Sequence, residues 1–452
     1  METLLGRAKG TALDVFVGDS APSSAVQPLS TRTNQIRCLN FSGSEWESIQ
    51  EFLEVLSGPL SLLHTLTIDQ VSGEPFAEFF DSGPPPSQPL FNNAVNLKNL
   101  RFYSNSAWSP SFTSFFFPNL VSFDFWAISP MDFCASQLLS FLEASPMLRT
   151  VHMAILSDVS FQGVPQEKIV LLPNVQNFDL IISDGGSGYE VPAHISCPSA
   201  KITSLMLKKD IEDIIPGEVF PTGASWNAIV CQYTRNPVED VTVEIKTTLT
   251  TTSSKLTFWS AGGTAVELCF KATYNEPCGY WVEVYPPSQV MNNEILSQTI
   301  RTIETHPEVA NIKRLHVCFF PQFLDNADEI WRLLGIASEV ERLFRSVGPL
   351  DELTIYDCDL RPYLRSFLTL EDDIRGSVTF PPTKELTISH PRNVSNEECV
   401  AIVELAKSQH AVGTPFERVV FRGERMFPGM VEGLRPWVGS VEYFCEEPRY
   451  GV

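Results

Sequence analysis

An imidazole and a thiol two positions apart, His316 and Cys318, are the pair in this chain nearest to reactive chemistry. On one strand they would share a face and could begin a metal site or a cysteine nucleophile with its base. Each reading lacks its remaining parts. A structural zinc takes about four ligands, usually including a tight Cys or His pair, and a cysteine hydrolase needs an orienting Asn or Asp and an oxyanion hole. The run Asp184-Gly185-Gly186-Ser187-Gly188 resembles a phosphate loop in its glycines alone. It has neither a Gly-Lys-Ser/Thr ending nor the G-x-G-x-x-G spacing, so a turn after the strand Phe178 to Ile182 is expected, its glycines permitting positive φ. Glu371-Asp372-Asp373 lacks EF-hand spacing and reads as solvated charge. No catalytic residue, metal ligand or cofactor is assigned.

What does recur is a pattern for position rather than reaction. A leucine-like residue, two free positions, a second, one free position and a third appear as Ile36, Leu39, Phe41; Leu63, Leu66, Ile68; Leu97, Leu100, Phe102; Leu120, Phe123, Phe125; Leu148, Val151, Met153; Val175, Phe178, Leu180; and Ile202, Leu205, Leu207. Successive middle positions are 27, 34, 23, 28, 27 and 27 residues apart, in or near the leucine-rich-repeat period of about 20 to 29. The fold class expected is α/β: a leucine-rich-repeat-like solenoid, with a curved parallel sheet on the concave face and helices and loops on the convex face.

The spacing divides the chain into an N-terminal array over 1–225, a β-rich, hairpin-like interruption over 226–290, and a C-terminal array with longer helices over 291–452. Short β-rich runs such as Val241 to Lys246, Lys255 to Trp259 and Val266 to Thr273 leave too little chain between them for helices. The triplets return at Ile312, Leu315, Val317; Leu350, Leu353, Ile355; and Phe416, Val419, Phe421, with Leu386 and Ile388 between. Helices are expected from Ser44, over Ala135 to Ala144, over Asp328 to Val347, and from the Ser395 and Glu398 capping box to about Ser408. Asp81 to Pro89 reads as an exposed loop.

Composition narrows the partners. Of 452 residues, 54 are acidic and 32 basic, giving a net charge of −22, which repels phosphate backbones and anionic headgroups. Neither nucleic acid nor membrane is expected as a partner. No stretch has the roughly 18 to 20 apolar residues that span a bilayer, and Met1 to Gly10 lacks a signal-peptide core, so the cytoplasm or nucleus is the expected compartment. The ten cysteines contain no C-x-x-C pair and read as reduced thiols.

If the triplets face a core, the residues between and after their last two members face the open sheet. This parity selects Thr67 and Asp69, Arg101 and Tyr103, Asp124 and Trp126, His152, Asp179 and Ile181, and Met206 and Lys208. Aromatic rings flanked by Asp and Arg suit an interface. The candidate partner-binding set is therefore Asp69, Arg101, Tyr103, Asp124, Trp126, His152, Asp179 and Lys208, centred on Tyr103, Trp126 and His152. The alternative is rings that pack across strands with no partner. Other functions weighed are an enzyme around His152 and Asp124, and a small-ligand sensor near Trp226 and Trp259.

The segments Leu172 to Glu190, His194 to Leu205 and Gln232 to Ile245, together with Ser136 to Met153, resemble the repeat region of the large F-box protein families of mushroom-forming fungi. That resemblance implies a repeat body that holds a substrate, while an F-box docks on the Skp adaptor of a cullin ubiquitin ligase. The chain starts almost directly on the strand Leu13 to Val17, leaving no room for an F-box. Adaptor and cullin are thus expected as partners only if an F-box is encoded upstream of Met1. Otherwise the expectation is a non-catalytic, repeat-only scaffold with a protein partner of unknown identity.

Overall fold

The middle residue of each early triplet is drawn out of water. Leu39, Leu66, Leu100, Phe123, Val151, Phe178 and Leu205 are each no more than 5% exposed in the computed structural model of the chain. Burying a side chain of this size contributes about 1.5–3 kcal/mol, so the pattern forces these strands to present one face inward. The structure describes residues 10–18, 27–42, 56, 58–70, 94–104, 117–127, 133–155, 159–183, 187–210, 233, 238–247, 251–261, 263, 265–273, 299–307, 309–321, 342–356, 380–389, 396–423 and 428–445. The helix expected from Ser44, the loop Asp81 to Pro89, Trp226 and the cluster Glu371-Asp372-Asp373 lie outside them. The architecture is mixed α/β, dominated by mostly parallel sheet with few described helices, and falls into two compact units, Met1–Lys208 and Lys209–Val452.

The first unit contains β1 (Leu13–Gly18), β2 (Ile36–Ser42), β3 (Thr65–Gln70), β4 (Asn99–Ser104), β5 (Ser122–Ala127), β6 (Phe133–Cys134), β7 (Thr150–Ile155), β8 (Val159–Ser160), β9 (Val170–Leu171), β10 (Asn177–Ser183), β11 (Ile195–Ser196) and β12 (Ile202–Asp210). Its sheet runs β1-β2-β3-β4-β5-β7-β10-β12, every pairing parallel. The short strands form two separate parallel pairs, β6 with β8 and β9 with β11. Helix α1 (Ala135–Glu143) turns Leu138, Leu139, Phe141 and Leu142 into the core. Phe141 meets Phe123 at a ring separation of 4.9 Å, which places the helix on the inward face of β5.

A repeated turn feeds these strands. The amide of a leading triplet residue donates to the carbonyl three positions back in Leu63 to Leu60, Leu97 to Ala94, Leu120 to Phe117 and Leu148 to Ser145, whereas in the last early repeat Ala200 makes this bond, to Cys197, two positions before Ile202. Side chains then tie one turn to the turn before it. Asn96 Nδ2 donates to the Ser61 carbonyl at 2.7 Å, Asn119 Nδ2 to Val95 at 2.8 Å, Asn174 Nδ2 to Pro146 at 3.0 Å, and Ser199 Oγ to Pro173 at 2.6 Å. Each such bond satisfies a backbone acceptor that no ladder reaches.

The second unit contains β13 (Val238–Thr247), β14 (Thr251–Ser260), β15 (Ala265–Thr273), β16 (Arg314–Pro321), β17 (Leu350–Tyr356), β18 (Thr383–Ser389), β19 (Arg418–Gly423) and β20 (Ser440–Cys445). Its strand order is β15-β14-β13-β16-β17-β18-β19-β20. The first two pairings are antiparallel and the rest parallel. Thus β13 closes a three-stranded meander on one side and opens a parallel run on the other. Of the helix expected over Asp328 to Val347, residues 342–347 are described; 342–346 are helical and Val347 is already a bend.

Helix α2 (Asn396–Val412) buries Cys399, Ile402, Leu405, Ala406 and Gln409 along one stripe. It runs beyond Ser408 because Gly413, at φ +88°, supplies the left-handed residue that ends it. The Gly413 amide donates to His410 and the Thr414 amide to Gln409, the paired bonds of a Schellman motif. Helix α3 (Pro428–Leu434) follows, with Met430 and Leu434 buried.

Two turns of the second unit approach their neighbours too closely for a side chain. A Cβ on Gly348 would lie 2.6 Å from the Ala310 carbonyl oxygen, and one on Gly439 would lie 2.5 Å from that of Glu417. Gly348→Ala is therefore expected to lower unfolding free energy by about 1–3 kcal/mol in urea denaturation. Gly429→Ala, whose Cβ would meet nothing within 4 Å, should leave stability unchanged or raise it.

Candidate functional site

Parallel pairing without a register shift lines up equivalent residues across strands. From β2 to β12 one row reads Asn40, Thr67, Arg101, Asp124, His152, Asp179, Ser204, and the next reads Ser42, Asp69, Tyr103, Trp126, Ala154, Ile181, Met206. Both rows lie on the face opposite the buried triplets, because side chains alternate along a strand. Seven of the eight candidate residues therefore share two adjacent rows. Lys208 pairs with Ser183 further along β12, and its side chain lies outside what is described.

Within these rows Asp124 organises a cluster. Its Oδ2 is 3.3 Å from Arg101 Nε, and its Oδ1 accepts a bond from Trp126 Nε1 at 2.7 Å. That bond fixes the indole, which stacks on Tyr103 with ring centres 5.5 Å apart and planes 29° from parallel. On the next two strands His152 Nδ1 and Asp179 Oδ2 are 3.4 Å apart. The side chains remain partly open to water: 56% for Arg101, 27% for Asp124, 45% for His152 and 40% for Asp179. Asp69 is half-buried beside Tyr103 in the register.

Chemically this is a surface with both charge signs and an aromatic platform. His152 has carboxylates as its register neighbours on both sides, Asp124 and Asp179. The hydroxyl of Ser204 lies beyond Asp179 in that row, so the row does not place a nucleophile next to the imidazole. Among the described residues no group of three or more His, Cys, Asp or Glu side chains could hold a metal ion.

The other pair with reactive residue types, His316 and Cys318, shares one face of β16 in the second unit. His316 is half-buried, with the Tyr356 ring 6.3 Å away, and Cys318 is 7% exposed. Burial pushes the imidazole pKa below its ordinary value, against the opposing pull of Glu352 and Asp240 and with a smaller contribution from Arg314.

The sequence reading did not single out the charge ladders of this second unit. Glu239, Lys313, Asp351, Lys384 and Glu417 stand immediately before one aligned row; Asp240, Arg314, Glu352, Glu385 and Arg418 form that row. Lys313 bonds Glu239 at 2.8 Å, Lys384 bonds Asp351 at 2.7 Å, Arg314 bonds Asp240 at 2.5 Å, and Arg418 bonds Glu385. The hydrogen bond from Lys384 holds the Asp351 carboxyl below its usual range. Alternating charge sign just after the residue that opens each repeat, at Lys313, Asp351, Lys384 and Glu417, was the available signal.

Compared with known proteins, the chain matches no protein-family model, and no curated protein is significantly similar to it.

Two outcomes are expected from this geometry. Asp124→Ala should cost about 1 kcal/mol of stability, and distinctly less in a Trp126→Phe background; equal costs in the two backgrounds would mean that the carboxylate and indole are uncoupled. For His316, folding favours the neutral ring, so the unfolded chain binds protons more readily. Stability should be full above the ordinary value of 6.5 and fall as pH drops through the folded pKa. His316→Gln should flatten that part of the profile in denaturant titrations across mildly acidic pH.

Proposed function

We propose that the chain is a non-catalytic protein-binding repeat protein. In this reading it is a leucine-rich-repeat-like solenoid, and the concave face of its first array holds a partner. The observation that carries the reading is the Tyr103–Trp126 stack, held by Asp124 on the face opposite the core and flanked by the Arg101–Asp124 and His152–Asp179 pairs. Rigid aromatic rings lose little conformational freedom on binding, and neighbouring charges of both signs give orientation. The resemblance to the fungal F-box families supports naming the partner as a substrate for ubiquitination. That version needs an F-box upstream of Met1 to engage the Skp adaptor and cullin; without one, the same face serves a scaffold in the cytoplasm or nucleus.

Affinity purification from the native host, comparing the wild-type chain with Tyr103→Ala/Trp126→Ala, tests the face. Loss of two central anchors should weaken a bound partner about thirty-fold or more while the thermal midpoint stays near that of the parent. An identical set of captured proteins from both chains would sink the proposal. Recovery of the Skp adaptor with the full-length transcript product, undiminished by the double substitution, would separate ligase assembly from substrate holding.

A further inference from the structure

The position just before β3, β4, β5, β7, β10 and β12, continued by Arg37 at the start of β2, forms a second row, separate from the aromatic face. It is fixed by backbone bonds that pass from unit to unit. His64 donates to Arg37 at 2.8 Å, Lys98 to His64 at 2.9 Å, Val121 to Lys98 at 2.8 Å, Arg149 to Val121 at 2.8 Å, Gln176 to Arg149 at 2.8 Å, and Lys201 to Gln176 at 2.9 Å. Cations therefore occupy every second rung, Arg37, Lys98, Arg149 and Lys201, with His64, Val121 and Gln176 between them. Arg37 is engaged by Asp14 through two bonds of 3.0 and 2.5 Å. Lys98, Arg149 and Lys201 are exposed, and among the described residues none of the three has an ion-pair partner.

The second unit treats the equivalent row differently. There Glu239, Lys313, Asp351, Lys384 and Glu417 alternate in sign, with ion pairs from Lys313 to Glu239 and from Lys384 to Asp351. In a chain of net charge −22, one row is thus paired internally, while on the other three aligned cations have no ion-pair partner among the described residues. Neighbouring strands are about 4.8 Å apart, so cations on alternate rungs repeat at about 10 Å. A polyproline-II peptide rises about 3.1 Å per residue with three residues per turn, so side chains three residues apart share one face and repeat at about 9 Å, close to the same interval.

We propose that the Lys98–Arg149–Lys201 row is a docking rail for an acidic peptide segment of a partner protein in the polyproline-II conformation, with an Asp or Glu at every third position lying across the strand ends. Long polyanions are disfavoured by the overall negative field, whereas a short segment meets only the local row. The rail is independent of the aromatic face, so either assignment can fail alone.

Fluorescence anisotropy of the full chain with a labelled synthetic peptide carrying glutamate at every third residue tests the rail. A peptide of equal composition with its glutamates on alternate residues is the comparison. The spaced peptide should bind more tightly, weaken with added salt, and lose about tenfold in affinity in the Lys98→Gln/Arg149→Gln/Lys201→Gln protein. It should bind unchanged to Tyr103→Ala/Trp126→Ala. Charge reversal to Glu at the same three positions should abolish binding; if that protein misfolds, the glutamine variant decides. Absence of binding, equal affinity for the two peptides, or affinity unaffected by neutralisation would overturn the proposal. Tighter binding of an RNA homopolymer, lost in the glutamine variant, would also overturn it and reassign the row to nucleic acid.

Discussion

The side-chain rows on the sheet of the first unit depend on one interaction: the backbone bond from the start of each repeat to the carbonyl of the repeat before. Because the bond is made at the same position each time, from His64 to Arg37 through Lys201 to Gln176, neighbouring strands from β2 onward cannot slide past one another. Fixed register turns a one-dimensional list of residues into rows. The Tyr103–Trp126 stack and the Arg101–Asp124 pair are consequences of that alignment, and in the second unit the bonds from Lys313 to Glu239 and from Asp351 to Lys313 align the charge ladders in the same way. A slip of one residue would exchange the core and solvent faces of a strand, bringing Asp124 inward and Phe123 out.

Ion pairs on these rows do little to hold the fold. The Arg37–Asp14 pair leaves side chains 54% and 38% exposed, and Lys384–Asp351 leaves 62% and 50%. Exposed pairs of this kind contribute about 0–1 kcal/mol. Cohesion comes instead from the phenylalanine-rich interior, including Phe123, Phe125, Phe141 and Phe178, each no more than 1% exposed, and from the turn-to-turn bonds of Asn96, Asn119 and Asn174.

The positions of the core strands were legible because an apolar requirement at three fixed offsets leaves a mark that needs no tertiary knowledge. Strand parity then placed Arg101, Tyr103, Asp124, Trp126 and His152 on one face, since alternation follows from backbone geometry alone. Which of them touch was not legible: that Asp124 binds both Arg101 and Trp126 depends on rotamers and on cross-strand neighbours more than twenty positions away. The turn asparagines also escaped notice, because their partners are backbone carbonyls, which carry no residue identity. The ladders of the second unit were hidden for a simpler reason. Their members, such as Lys313 and Asp351, look like ordinary surface charge until the strands are set side by side.

The junction made by β13 bears on how the second unit assembles. Most of its parallel pairings join segments about one repeat apart, as in the 33-residue separation between Lys384 and Asp351. The pairing of β13 with β16 spans 74 residues between Glu239 and Lys313, with the meander of β14 and β15 intervening. Closing the longer span costs about 0.7 kcal/mol more in chain entropy than closing the shorter, and the contact is productive only once β13 has its register. The antiparallel hairpins of β13, β14 and β15 need little loop closure, so the β13–β16 pairing is the contact of highest sequence separation among the described strand pairings of this unit.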